Sequence, residues 1–308
     1  MILGIDPKID YAFKLLLGQE GTEALLIDVL NGVLQRPEGA RVESVKILNP
    51  FNPKAAYDDK LSIVDVRARD QSGRLFNVEM QILSEPSFAS RIIYYAARTF
   101  QQQLREGDDY EKLRPTISIC FLNHVLFPDV ADYHLCFRLL ENTHHFPLTD
   151  DLEFHFLELP KFRKEPEELV EGIEFWLYFL RHAEKMDTEA VPIPLRKPLI
   201  MKALQELEMV THDEIKRIRY EERLESERTY AYNMRMSKQE GRQEGEMIGQ
   251  QKGEKIGRQE GVKIGAIQML ERLLGKPETP LERFNGKSLD ELDRLIAELE
   301  RQFQEVRR

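Results

Sequence analysis

An α/β or α+β sheet with helices packed against it, followed by a helical C-terminal stretch, is the fold class the sequence predicts. Three observations point there. Helix-like, hairpin-like, helix-like and strand-like segments follow one another up to residue 159. Strand patterning is lost from about residue 165 onward. Glycine then recurs every fourth residue at 241, 245, 249, 253, 257, 261 and 265, seven of the chain's 17 glycines.

The elements follow in order. Asp6 and Pro7 read as the N-cap and first position of a helix, with Ile9, Ala12, Phe13 and Leu16 at helical spacing. A second helix covers 21–34, and a first strand covers 42–47. Residues 61–69 (LSIVDVRAR) and 75–83 (LFNVEMQIL) are rich in β-formers, and Asp70-Gln71-Ser72-Gly73 between them is turn chemistry, so the pair reads as a hairpin. A helix over 90–106 stops at Gly107, and strands are expected at 116–122 and 152–159. Trp176, Leu177, Phe179 and Leu180 then share a helical face. Residues 266–274 form an amphipathic helix, and Ser288-Leu289-Asp290-Glu291 is a capping box for a last helix bearing Leu292, Leu295, Ile296 and Leu299 on one side. The expected organisation is a sheet-bearing domain over 1–185, a helical extension over 186–240, the glycine repeat over 241–265 and a small helical module over 266–308.

Composition narrows the function classes. A chain of 308 residues holds one sizeable core and an appendage. Cys120 and Cys136 are too few for a disulfide framework, and the opening MILGIDPK has no signal-peptide pattern, so a reducing, cytoplasmic location is expected. The longest apolar runs are strand-sized, well short of the ~20 residues of a membrane-spanning helix, and no membrane partner is expected. A net charge of −10 argues against coating nucleic acid by bulk attraction. Any such contact must be local. KFRK at 161–164 and KRIRYEER at 216–223 are basic runs, each read first as a solvated helix face.

The hairpin carries the chemistry. Alternation puts Ile63, Asp65, Arg67 and Arg69 on one face with Leu75, Asn77, Glu79 and Gln81, while Val64, Val66, Ala68, Phe76, Val78, Met80 and Ile82 make the core face. A turn centred on Ser72 sets Asp65 opposite Glu79, with Cβ atoms roughly 5 Å apart. Like charges so placed repel unless something offsets them, and a divalent cation would. The two carboxylates and the backbone carbonyl of Met80 offer the hard oxygens that magnesium prefers, and Gln81 on the same face could orient a water. The alternative is that both acids lie on the wet face of an antiparallel sheet, Asp65 pairing with Arg67, Arg74 or Lys60. Other signals lead nowhere. Gly286-Lys287-Ser288 resembles a phosphate loop but has Leu281 where glycine is needed, and no histidine or serine stands in a zinc or triad context.

Several segments together resemble one family. DDKLSIVDV, a turn and RLFNVEMQIL look like the D and ExQ motifs of the recombination-promoting nuclease (Rpn) family, also called PD-(D/E)XK nuclease family transposases. DPKIDYAFKLLLG resembles the opening helix of that family, and FASRIIYYAARTFQQQLREGDDYEKLRPTISICFLN its R-x-x-Y-Y helix and following strand. The resemblance covers roughly residues 5–125. It implies a restriction-endonuclease-like α/β core with a mixed sheet flanked by helices, and divalent-metal-dependent cleavage of double-stranded DNA. It makes Asp65 and Glu79 metal ligands and puts Gln81 where the superfamily usually has lysine. A missing lysine removes a charge that would stabilise the transition state. Asp10 is a candidate accessory acid, against a cap or surface role. Arg91, Tyr94 and Tyr95 are candidates for DNA-backbone contact, with tyrosine packing onto the sheet as the competing role.

The repeat poses its own question. Glycine costs roughly 1 kcal/mol relative to alanine inside a helix, so seven of them weaken a lone helix. Self-association through a glycine stripe is one reading, and a flexible charged linker the other. Two functions therefore stand: a magnesium-dependent DNA endonuclease (manganese substituting) linked to recombination or mobile elements, or a catalytically weak DNA-binding, self-assembling protein with a regulatory tail.

Overall fold

Six strands form one mixed sheet in the computed structural model, which describes residues 1–49 and 65–306. In chain order the elements are α1 (Asp10–Leu17), α2 (Glu23–Leu34), β1 (Val45–Ile47), β2 (Val66–Asp70), β3 (Leu75–Gln81), α3 (Phe88–Gln101), β4 (Thr116–Leu122), β5 (His134–Arg138), β6 (Leu152–Glu158), α4 (Gly172–His182), α5 (Pro198–His212), α6 (Glu214–Leu273) and α7 (Leu289–Val306). The spatial order is β1-β2-β3-β4-β6-β5. β1, β2 and β3 are antiparallel neighbours, β3, β4 and β6 run parallel, and β5 closes the far edge antiparallel to β6. The parallel step from β3 to β4 needs a crossover, and α3 supplies it.

The hairpin register is the one the turn chemistry predicts, with Val66 opposite Val78 and Arg67 opposite Asn77. Asp70 builds the turn: its Oδ1 accepts from the backbone N–H groups of Ser72 (3.0 Å) and Arg74 (2.9 Å), and its Oδ2 pairs with the Arg74 guanidinium at 2.6 Å. Gly73 sits at φ +87°, where a side chain would be strained. The first part of the expected strand, residues 61–64 with Ile63 and Val64, lies outside the described residues.

The two sheet faces are covered differently. Phe76, Val78, Ile119, Phe121 and Leu157 join α1, α2, α4 and α5 in the main core with Phe13, Leu30, Trp176 and Phe179. α2 and α4 approach closely at Gly32, where a Cβ would lie 2.9 Å from the Ile173 backbone nitrogen. On the other face Phe88 and Ile92 of α3 pack on Cys120, Leu122 and Phe156. The polar face, for which a wet surface was the alternative reading, is therefore roofed by α3, and β3 is buried from Leu75 to Met80. Asn77 on it finds a partner inside, its amide donating to Thr99 Oγ1 at 3.2 Å.

Several boundaries differ from expectation for local reasons. The first helix starts at Asp10, because Asp6 Oδ1 accepts from the Lys8 backbone N–H (2.9 Å) and ion-pairs with its ammonium (2.7 Å), making a turn of Asp6 and Pro7. The crossover helix runs over Phe88–Gln101 where 90–106 was expected, and the first strand over Val45–Ile47 where 42–47 was expected. β5 was not anticipated.

The described chain divides into two compact units, Met1–Thr229 and Tyr230–Arg308. Glycines 241–265 lie within α6, so the repeat is helical here, and a Cβ built on any of the seven would meet nothing within 4 Å. In the second unit Ile267, Phe284 and Leu292 make a small core joined by Leu295, Ile296 and Leu299. The expected capping box is formed: the Glu291 carboxylate accepts from the Ser288 N–H (2.7 Å), and Ser288 Oγ accepts from the Glu291 N–H (3.3 Å). Among the described residues no helix is long and apolar enough to cross a membrane.

Candidate active site

The start of β2, the end of β3 and the first helix bring four ionisable side chains together. Asp65 immediately precedes β2, and its Oδ2 accepts from the Met80 backbone N–H at 2.9 Å, which fixes the carboxylate beside β3. The N–H and C=O of one strand residue point the same way, so the Met80 carbonyl faces the Asp65 side as well. Gln81 faces oppositely: its carbonyl accepts from the Asn123 N–H beyond β4. Glu79 shares the α3 face with Gln81, and its residue is only 7% exposed. From α1, Lys14 ion-pairs with Asp10 at 2.7 Å and with Asp65 at 3.6 Å. Asp10 and Lys14, one helical turn apart, thus face Asp65 together.

Electrostatics follow from burial and crowding. The Asp65 carboxyl is held well above the usual carboxylate range, by burial first and the Asp10 charge next, with Lys14 and the Met80 N–H opposing and Glu79 adding. Burial pushes Glu79 up to about 7 against the pull of Arg91. The buried Cys120 thiol, opposite Glu79 across the β3–β4 pair, is pushed up by burial and then by the Glu79 and Asp65 charges. Carboxylates crowded in this way are stabilised in their charged form by a cation.

Gln81 is held at both ends of its amide. Its Oε1 accepts from Arg91 Nη2 at 2.8 Å, and its Nε2 donates to the Leu83 carbonyl at 2.9 Å. Arg91 also pairs with Glu85 at 2.5 Å and lies 5.3 Å from the centroid of the Phe88 ring. This candidate DNA contact is therefore braced against the site itself. Tyr94 is 60% exposed and Tyr95 half-buried, with ring centroids 5.7 Å apart, so Tyr94 is the one turned outward.

Two neighbours escaped the sequence reading. Lys14 carried a visible signal, its i,i+4 spacing from Asp10, itself a candidate accessory acid on α1. Glu227, early in α6, carried none: its carboxylate accepts from the Asp10 backbone N–H at 3.5 Å and is pushed up to about 7, chiefly by burial and also by the Asp10 and Asp6 charges. The same stretch of α6 sends Tyr220 to Asp6, whose N–H donates to the tyrosine oxygen at 2.9 Å.

As donors, Asp65, Glu79 and the Met80 carbonyl, with Asp10 nearby, would be all oxygen and negatively charged, the chemistry that suits a hard divalent cation.

A family model described as PD-(D/E)XK nuclease family transposase matches residues 7–237. No curated protein and no solved structure gives a significant match to the chain.

Proposed function

Because the chain belongs to the PD-(D/E)XK nuclease family transposases, a family of nucleases acting on nucleic acid, we propose that it is a metal-dependent endonuclease that hydrolyses phosphodiester bonds in double-stranded DNA. The observation that carries this reading is the pairing of Asp65 with the Met80 N–H beside a buried Glu79, two carboxylates whose ionisation is opposed by their surroundings. Asp65, Glu79 and the Met80 carbonyl would hold magnesium, with manganese as a substitute and Asp10 as accessory acid. The chemistry such an ion would supply there is polarisation of the phosphate and activation of water for attack.

The chain's own residues then have distinct tasks. Gln81, clamped by Arg91, shapes the wall beside Glu79 and presents a polar surface to the attacking water. Lys14 brings a positive charge to Asp65 from α1, and Arg91 brings one to Gln81, so the charge that glutamine lacks is present in the site on two other elements. Tyr94 suits phosphate contact along the duplex. Cleavage would serve recombination or mobile-element movement in the cytoplasm, and the glycine-bearing helix would pair copies of the chain.

The decisive experiment is cleavage of supercoiled plasmid by purified protein with magnesium, manganese or EDTA, beside Asp65→Ala and Glu79→Ala. Metal-dependent nicking lost in both variants is the expected result. Absence of cleavage by well-folded wild-type protein would favour the weakly catalytic DNA-binding reading, which the tethering of the Gln81 amide at both ends supports.

A further inference from the structure

On the opposite face of the sheet, near its far edge, a second group of metal-type donors converges. β5 and β6 pair with Cys136 opposite His155 and Arg138 opposite Glu153, and Glu153 and His155 are two residues apart on one strand face. Val78, Ile119, His155 and Cys136 occupy one row across the sheet, while Glu79, Cys120 and Phe156 occupy the next, so this group and Glu79 face opposite ways.

The atoms are close. His155 Nε2 lies 2.6 Å from Glu153 Oε1 and 4.0 Å from Cys136 Sγ, and one ligand atom from each of the three residues falls within 4.8 Å of the others. A tetrahedral zinc ion with bonds of ~2.3 Å to sulfur and ~2.0 Å to nitrogen and oxygen separates its ligand atoms by ~3.3–3.6 Å. Movements of about an ångström by two side chains would suffice.

The remaining polar atoms of these side chains are already held. His155 Nδ1 lies 2.9 Å from His134 Nε2. Glu153 Oε2 takes both Arg36, at 2.5 Å, and Arg138, at 3.2 Å, leaving Oε1 turned toward His155. Outer partners that fix the far nitrogen of a histidine and the far oxygen of a carboxylate are a regular accompaniment of metal ligands. Glu153 and His155 are only 2% and 4% exposed, whereas Cys136 is exposed, so the arrangement opens to solvent on the thiol side.

We propose that Cys136, Glu153 and His155 form a second metal site, specific for a thiophilic transition dication of the zinc class and open at its fourth position. The two guanidiniums repel a magnesium ion, which binds by electrostatics alone. Zinc gains bonds to sulfur and imidazole nitrogen that offset this repulsion. The two sites therefore sort metals: all-oxygen donors around Asp65 and Glu79, mixed sulfur, nitrogen and oxygen donors at the β5 edge.

The test is titration of metal-stripped, reduced full-length protein with cobalt(II), with magnesium in excess to occupy the oxygen donors. A thiolate-to-cobalt charge-transfer band saturating at one equivalent, displaced by zinc and abolished in Cys136→Ser, is expected. His155→Gln should weaken binding at least ~10-fold. The exposed Cys136→Ser change decides the matter even if the buried His155→Gln change impairs folding. No thiolate band in wild-type protein, or a band that survives Cys136→Ser, overturns the proposal.

Discussion

Asp65 accepts the backbone N–H of Met80 at 2.9 Å, so one of the two proposed metal-binding carboxylates is positioned by the residue that follows the other. An asparagine at 65 could keep that bond through its amide oxygen while losing the charge. Asp65→Asn is therefore expected to lower plasmid cleavage at least ~10²-fold, in the range of losing one preorganised polar group from an active site. Its metal-free melting temperature should equal or exceed that of wild type, because a crowded charge is removed. A clear fall in melting temperature would show that Asp65 serves the fold instead.

Lys14 bridges two acids, at 2.7 Å from Asp10 and 3.6 Å from Asp65. Lys14→Met should reduce the single-turnover cleavage rate by ~10–10²-fold, and Lys14→Arg should restore part of it. Unchanged rates in Lys14→Met would leave Arg91 as the relevant cation.

Metal binding should strengthen with pH. The Glu79 carboxyl sits at about 7, above its ordinary value, so its protonated form suits the fold. The stability associated with this group is complete at low pH and is lost as pH rises through that value. A divalent ion offsets the loss only where the carboxylate is ionised. Magnesium should thus raise the melting temperature more at pH 8 than at pH 6, as scanning fluorimetry would reveal, and Glu79→Gln should remove the difference.

Restoring a lysine at position 81 should not by itself raise activity. Arg91 already points two hydrogen bonds into that neighbourhood, to Gln81 and Glu85. Gln81→Lys places like charges together, and combining it with Arg91→Gln relieves the conflict. The double variant is expected to be more stable and more active than Gln81→Lys alone, a coupling that denaturant melts and plasmid assays both measure.

In the repeat, a Cβ at Gly245, Gly249 or Gly253 meets nothing within 4 Å. Changing all three to alanine should increase helicity by circular dichroism, with each change adding up to ~1 kcal/mol of helix stability. If copies of the chain pair closely along these glycines, sedimentation should show the triple variant dissociating.

The legible parts of the fold were those with strong local patterning. Alternating residues and the Asp70–Gly73 turn set the hairpin register, and the capping box at Ser288 marked the last helix. β5 carried a signal that the reading passed over, Leu135 and Phe137 alternating with His134, Cys136 and Arg138, on an edge whose residues are partly or fully exposed. Burial of the Asp65–Glu79 face depended on α3 folding over it, which hairpin alternation does not reveal. Lys14 and Glu227 reach the site from outside the hairpin, from α1 and from near the opposite end of the first unit.

The junction of α1 with α6 also has a consequence in time. The N–H groups of Asp6 and Asp10 find Tyr220 and Glu227 only after more than two hundred further residues have been synthesised. A ribosome-bound chain would therefore carry its hairpin acids well before the wall around Asp10 exists. Completion of the site therefore waits for the start of α6, and a chain cut short ahead of α6 would lack this flank.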